Sequence, residues 1–181
     1  MRPKIVLFLC TGNYYRSRFA ELLFNHLAER RGLDWQAVSR GLALNARNVG
    51  AISQDTLIGL ATRGIAVEGE VRRPQALGES DMARAHHIVA VNHAEHLPML
   101  QRKFPHRVEE IEFWHVHDLD LATPIDALAQ LEREVLGLVN RLHALDQALR
   151  SFYWIAPSSN DRAGRKLMII SGVGMRNSVT G

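Results

Sequence analysis

The stretch VLFLCTGNYYRS, Val6 to Ser17, holds the residue types with most chemical potential in the chain. Cys10 is the sole cysteine, and Arg16 and Ser17 follow it across a short loop containing Gly12 and Asn13. A free thiol, with pKa ~8.5, is only a few per cent thiolate at neutral pH. A helix N-terminus and a nearby arginine lower that value by several units, and ~3 units correspond to ~4 kcal/mol in favour of the thiolate. The planar fork of Arg16 can hold two oxygens of an oxyanion, which a lysine cannot do in the same two-pronged way. Backbone N–H groups of Thr11, Gly12, Asn13, Tyr14, Tyr15, Arg16 and Ser17, with the positive end of a following helix, make a nest for a phosphate-like group. Gly12 and Asn13 are types that tolerate the left-handed backbone such a loop needs. The Ser17 hydroxyl can donate a hydrogen bond to the sulfur. This loop can therefore both bind a tetrahedral oxyanion and attack it. Free cysteine is also among the most buried residue types, so a packing role for Cys10 is the plain alternative. An arginine six positions on, with Gly-Asn between and a helix behind, favours chemistry.

Such a loop needs a strand to enter it and a helix to leave it. Lys4–Leu9 is short, continuous and apolar, as in a parallel strand buried on both faces. From Arg16 to Arg31 the apolar residues Phe19, Leu22, Leu23, Leu27 and Ala28 recur at helical spacing, and Gly32 is a natural stop. The spacing predicts further strands at Trp35–Leu42, His86–Asn92 and Arg107–Trp114. Helices are expected over roughly Ser53–Arg63, from near Leu97 because Pro98 suits a first turn, and from about Pro124 to Arg150. The last carries a stripe of Ile125, Leu128, Leu131, Val135, Leu138, Leu142, Leu145 and Leu149, read as packing against the sheet. Strands alternating with helices predict an α/β fold of three layers, a four-stranded parallel sheet with helices on both faces (flavodoxin-like). Ligands in such sheets bind beyond the carboxyl ends of the strands, where Cys10 and the Trp114–Thr123 loop lie. Residues 1–157 read as one domain and 158–181, rich in Ser, Asn and Gly, as a poorly ordered tail.

Composition narrows the partners. The chain has 181 residues, 46% hydrophobic and 23% charged, with a formal net charge of +3. There is no long Lys/Arg run, so nucleic acid is not implied. No apolar run approaches the ~18 residues of a membrane span. Ile5–Leu9 is shorter than the ~7–15-residue core of a signal peptide. One cysteine excludes an internal disulfide and Cys-x-x-Cys motifs, so a reducing cytoplasm is the simplest setting. His86 and His87, His93 and His96, and His115 and His117 lack an H-E-x-x-H pattern or a cysteine partner, so no metal and no cofactor are expected. Glu21 reads as a surface or network carboxylate. The sequence does not speak to oligomeric state.

At CTGNYYRS the chain resembles the low-molecular-weight protein-tyrosine phosphatases, whose signature is a Cys-x5-Arg-Ser loop. The likeness extends over roughly residues 4–150, through SRG (Ser39–Gly41), HHIVAVN and FWHVHDL. The resemblance implies a phosphomonoester hydrolase acting on a phosphorylated protein or a small aryl phosphate. Cys10 would form a phosphocysteine, Arg16 and the loop amides would hold the phosphoryl oxygens, and Asn13, Ser17 and Ser39 would support the loop. It also implies an acidic residue after strand four. Spacing from Trp114 points to Asp118, with Leu119 where Pro is usual and Asp120 as the reserve; both also suit a turn. Three departures stand out. Leu119, Leu121 and Ala122 replace the tyrosines that commonly follow the acid, which leaves the substrate ester open. Tyr15 replaces a second cysteine, so oxidised Cys10 has no neighbour to trap it as a disulfide. Arg18 replaces a proline and would add charge near the pocket mouth. Two other readings stay open: an arsenate reductase with one cysteine that uses a small external thiol, and a phosphate-binding regulatory module without catalysis.

Overall fold

The structure is a computed structural model and describes residues 2–116 and 123–154. The chain divides into two units, residues 1–143 and 144–181. The first holds the sheet, and the described part of the second is the C-terminal stretch of the last helix. Asp118, Leu119, Asp120 and the tail from Ser158 lie outside the described residues.

Four strands, β1 (Lys4–Cys10), β2 (Trp35–Gly41), β3 (His87–Ala90) and β4 (Ile111–Phe113), form one sheet in the order β2-β1-β3-β4. Every pairing is parallel. β1 is flanked on both sides, which is why its sequence is apolar without interruption. Its side chains alternate between two cores. Val6, Phe8 and Cys10 join Phe19, Phe24, Leu131, Val135 and Leu138 on one face. Leu7 and Leu9 join Met82, Ile88 and Leu100 on the other. Phe8 anchors the first core, edge-on to Phe24 at 6.0 Å and tilted against Trp114 at 5.6 Å.

The helices are α1 (Arg16–Arg30), α2 (Gln54–Ala61), α3 (Glu79–Arg84), α4 (His93–Lys103) and α5 (Pro124–Trp154). α1 and α2 are followed by the left-handed glycines Gly32 and Gly64, with φ +62° and +71°. Ser53 caps α2, its hydroxyl accepting the Thr56 N–H at 3.1 Å.

Three expectations need correction. α4 begins at His93 rather than near Leu97, because the Asn92 side chain caps it by accepting the Glu95 N–H at 3.0 Å. Pro98 consequently lies inside the helix, where it removes the bond its N–H would make and its ring crowds the carbonyl four residues back. The strand expected over Arg107–Trp114 is mostly a 3-10 turn over Pro105–Glu110, which Pro105 starts. The Val108 carbonyl is committed to that turn by the Ile111 N–H, so only Ile111–Phe113 is left to pair with β3. The α5 stripe is buried at Leu128, Leu131, Val135, Leu138 and Leu142, whereas Ile125, Leu145 and Leu149 are exposed. Helical spacing marks a face without saying how much of it is covered. α3, too short to show periodicity, was not expected at all.

Glu112 of β4 ties the outer edge of the sheet to α5. It accepts from Trp114 Nε1 at 2.7 Å, His87 Nε2 at 2.8 Å and Arg141 at 2.6 Å. The His87 hydrogen bond leads in lowering its pKa from 4.5 to about 2; partial burial opposes this, and Trp114 and Arg141 reinforce it. A carboxyl whose folded pKa is depressed contributes stability above its unfolded value and loses it as pH falls through the folded one. Glu112→Gln should therefore be less stable than the parent at pH 7. The gap in urea midpoint should close as pH drops from 4.5 towards 2. A gap independent of pH would mean that the carboxylate charge contributes nothing.

Candidate active site

Cys10 is the last residue of β1, opposite Gly41 of β2, and is 3% exposed. The chain then turns through Thr11–Tyr15 into α1, so the loop sits at the carboxyl edge of the central strand. Its carbonyls are held from outside. Leu42 N–H donates to Cys10 O at 2.9 Å, Ala43 to Thr11 O at 2.9 Å and Ser53 to Tyr14 O at 3.0 Å. Among the described residues, the amides of Thr11, Gly12, Asn13 and Tyr14 donate no hydrogen bond in return. Tyr15, the N-cap of α1, offers no side-chain cap. The four amides of Thr11 to Tyr14 are therefore open to an outside acceptor.

Asn13 shapes the loop. It is fully buried and has φ +48°, the only non-glycine among the described residues in the left-handed region. Gly12 does not adopt that conformation, contrary to expectation. The Asn13 amide nitrogen donates to Ser17 Oγ at 3.2 Å and to Ser39 Oγ at 2.8 Å. Its amide oxygen accepts from Arg72 at 3.0 Å and from the Gln75 N–H at 2.9 Å. Ser17 Oγ lies 2.9 Å from Cys10 Sγ. Because Asn13 donates to the Ser17 oxygen, the single hydroxyl proton of Ser17 is available to the sulfur.

Behind the loop, Glu21 gathers charge. Its Oε2 accepts from Ser39 Oγ at 2.5 Å, Arg72 at 2.7 Å and Arg18 at 3.0 Å. Glu21 is therefore a network carboxylate. Arg18 is 3% exposed and faces this network, which corrects its expected place at the pocket mouth. Burial, partly offset by Glu21, lowers the pKa of Arg72, though an arginine remains charged.

Arg16 is 2% exposed, and its fork meets a carboxylate that the sequence reading missed. NH1 and NH2 bind Glu95 Oε2 and Oε1 at 2.8 and 3.0 Å, and NH1 also reaches Val116 O at 3.3 Å. Thr11 Oγ1 donates to the same carboxylate. Half-burial pushes the Glu95 pKa up, but hydrogen bonds from His96, Arg16 and Thr11 with the Arg16 charge outweigh it and hold the carboxyl well below its usual range. Asn92 and Glu95 stand in the N-x-x-E spacing of a capping box, in which the glutamate reaches back to the cap N–H. Here the Asn92 N–H donates instead to His96 Nδ1 at 3.1 Å, and Glu95 is released towards Arg16. The capping signature was visible in the sequence; the exchange of partners was not.

A cavity of about 330 Å3 opens above the loop. Cys10, Thr11, Gly12, Tyr14, Tyr15 and Arg16 line it from one side, and Asn45, Asn48, Ser53 and Asp55 from the other. Glu95 is not among its lining residues, so it anchors Arg16 from outside the cavity. Tyr14 fixes the far wall, its hydroxyl donating to Val49 O at 2.7 Å. Tyr15 donates to Pro124 O at 3.3 Å. The structure thus brings together Cys10, Thr11, Gly12, Asn13, Tyr14, Tyr15, Arg16, Ser17 and Ser39, while Asp118 lies outside the described residues. Among the described residues no group of three or more His, Cys, Asp or Glu converges as for a metal ion, and no helix is long and apolar enough to cross a membrane.

Cys10 thus stands at the carboxyl edge of a four-stranded parallel sheet, ahead of a loop with open amides and of helix α1. The family described as low molecular weight phosphotyrosine protein phosphatase matches residues 5–151, and the chain belongs to it. It is an enzyme of this phosphatase class. A low molecular weight protein tyrosine phosphatase from T. tengcongensis is 25% identical, with a TM-score of 0.62 over 80% of this chain and 99% of its own. A YwlE mutant from Bacillus subtilis gives the same identity, TM-score and coverage. The YwlE arginine phosphatase from Geobacillus stearothermophilus shares the fold at 23% identity, with a TM-score of 0.61 over 82% of this chain and 96% of its own. No curated protein matches the chain.

Two substitutions test this geometry. A Cβ added at Gly41 would lie 3.0 Å from Thr11 O and 3.1 Å from Asn13 Cβ, and nearer still to Leu44. Gly41→Ala should push the loop out of place, cutting kcat/KM for an aryl phosphate at least about tenfold and costing about 1–3 kcal/mol of stability. Glu95→Ala removes the anchor of the Arg16 fork and should raise KM about tenfold, since a misplaced guanidinium no longer meets the phosphoryl oxygens. Unchanged steady-state constants in either variant would contradict the assigned geometry.

Proposed function

We propose that the protein is a protein-tyrosine or aryl phosphatase working through a phosphocysteine. The observation that carries this is the Ser17 hydroxyl 2.9 Å from Cys10 Sγ, oriented by Asn13, at the floor of a loop that ends in Arg16. The Cys10 thiolate attacks phosphorus, forming the S–P bond as the ester P–O bond breaks. The loop amides and Arg16 stabilise the charge on the phosphoryl oxygens. Asp118 donates its proton to the leaving oxygen, then as a carboxylate takes a proton from the water that hydrolyses the thiophosphate linkage. Inorganic phosphate leaves and the thiolate is regenerated. The chemistry requires a free thiol, which suits a reducing, cytoplasmic setting.

The test is turnover of para-nitrophenyl phosphate against pH without added metal, beside a phosphotyrosyl peptide and phosphoarginine. Cys10→Ser should abolish turnover and phosphoenzyme trapping. Asp118→Asn should lower kcat on the order of 10²–10⁴-fold, and Asp120→Asn far less. Full turnover by Cys10→Ser would refute the mechanism, and a larger loss in Asp120→Asn would reassign the acid.

A further inference from the structure

The wall of the catalytic cavity is shared. Asp55, in the first turn of α2, lines that cavity and also a neighbouring groove of about 730 Å3 between α2 and the start of α5. Ile58 of α2 and Ile125 of α5 line the groove and are 53% and 80% exposed, so its apolar surface lies open. At its base Leu128 packs directly against Gly59, where a Cβ would collide with it. Arg63 and Glu132, also in the groove, neutralise each other through contacts of 2.8 and 2.9 Å. The Asp55 carboxylate has no hydrogen bond or ion pair among the described residues. The uncompensated charge of the described lining is therefore negative and sits where groove and cavity meet.

We infer that this groove receives the polypeptide flanking the phosphorylated residue of a protein substrate, with Asp55 selecting a basic side chain close to the phosphoryl group and Ile58 and Ile125 an apolar one beyond it. This rests on the phosphatase reading above and adds a substrate class to it. Continuity with the cavity decides the occupant: a chain whose phosphorylated residue is seated over Cys10 can leave past Asp55 into the groove. A carboxylate beside an anion site attracts a cationic neighbour and repels an acidic one. In an extended peptide, side chains two and four residues from the phosphotyrosine share its face, which places the basic and apolar positions there.

The experiment uses full-length Cys10→Ser protein, which can bind without turnover, and fluorescent phosphotyrosyl peptides read by anisotropy. The peptides carry Arg or Glu two residues away and Leu or Ser four residues away, on either side of the phosphotyrosine. The Arg/Leu peptide should bind at least about tenfold more tightly than the Glu/Ser peptide in one of the two directions. Adding Ile125→Glu or Ile58→Ser should erase the Leu contribution, and Asp55→Asn the preference of Arg over Glu. In the catalytic protein, kcat/KM for the Arg/Leu peptide divided by that for para-nitrophenyl phosphate should fall correspondingly in the isoleucine variants. Equal affinities across the peptides, with para-nitrophenyl phosphate still hydrolysed, would overturn the groove and leave the mechanism intact. Selective peptide binding without any hydrolysis would uphold the groove and remove the mechanism. A concentration-dependent dimer lost in Ile125→Glu would give the groove to a second copy and overturn its assignment to substrate.

Discussion

Four hydrogen bonds converge on the Asn13 carboxamide, two given to Ser17 and Ser39 and two received from Arg72 and the Gln75 N–H. A left-handed asparagine is tolerable but not favoured, and a buried amide with missing partners costs about 1–3 kcal/mol. Full satisfaction of this side chain holds the φ of +48°. The same side chain reaches Ser17, whose hydroxyl lies 2.9 Å from Cys10 Sγ. Arg72, Glu21 and Ser39 matter to chemistry through this one amide although none of them lines the cavity.

Charge around the loop is arranged in two separate accounts. Glu21 serves Arg18 and Arg72 behind the loop, and Glu95 serves Arg16 from α4. Arg16 therefore carries a charge balanced by Glu95. The open amides of Thr11–Tyr14 lie at the N-terminal end of α1. A guanidinium held at both terminal nitrogens also loses little freedom when an anion arrives.

Features that depend on local chemistry were legible in the sequence. An apolar run, a loop with Asn and a helical repeat reveal β1, the anion loop and α1, because each is decided by neighbours in the chain. The site residues from Cys10 to Ser17 form one such continuous piece. Long-range pairing was not legible. Nothing local to Glu95 says that His96 will take its capping partner, and nothing local to Arg72 says that Asn13 waits 59 residues earlier. Arg18 illustrates the same limit: it was expected near the pocket mouth, yet it pairs with Glu21 three positions on and is buried. Pro98 suggested a later start for α4 than the Asn92 cap sets, and Pro105, not weighed, begins the 3-10 turn that replaces part of an expected strand.

The alternation of β1 between two cores has an evolutionary consequence. Val6, Phe8 and Cys10 share one face, and Leu7 and Leu9 the other. Losing or gaining one codon between Lys4 and Leu9 would turn the sulfur to the opposite side of the sheet, away from Ser17 and α1. The first strand behaves as a fixed ruler, along which point replacements can accumulate but single-residue length changes are purged.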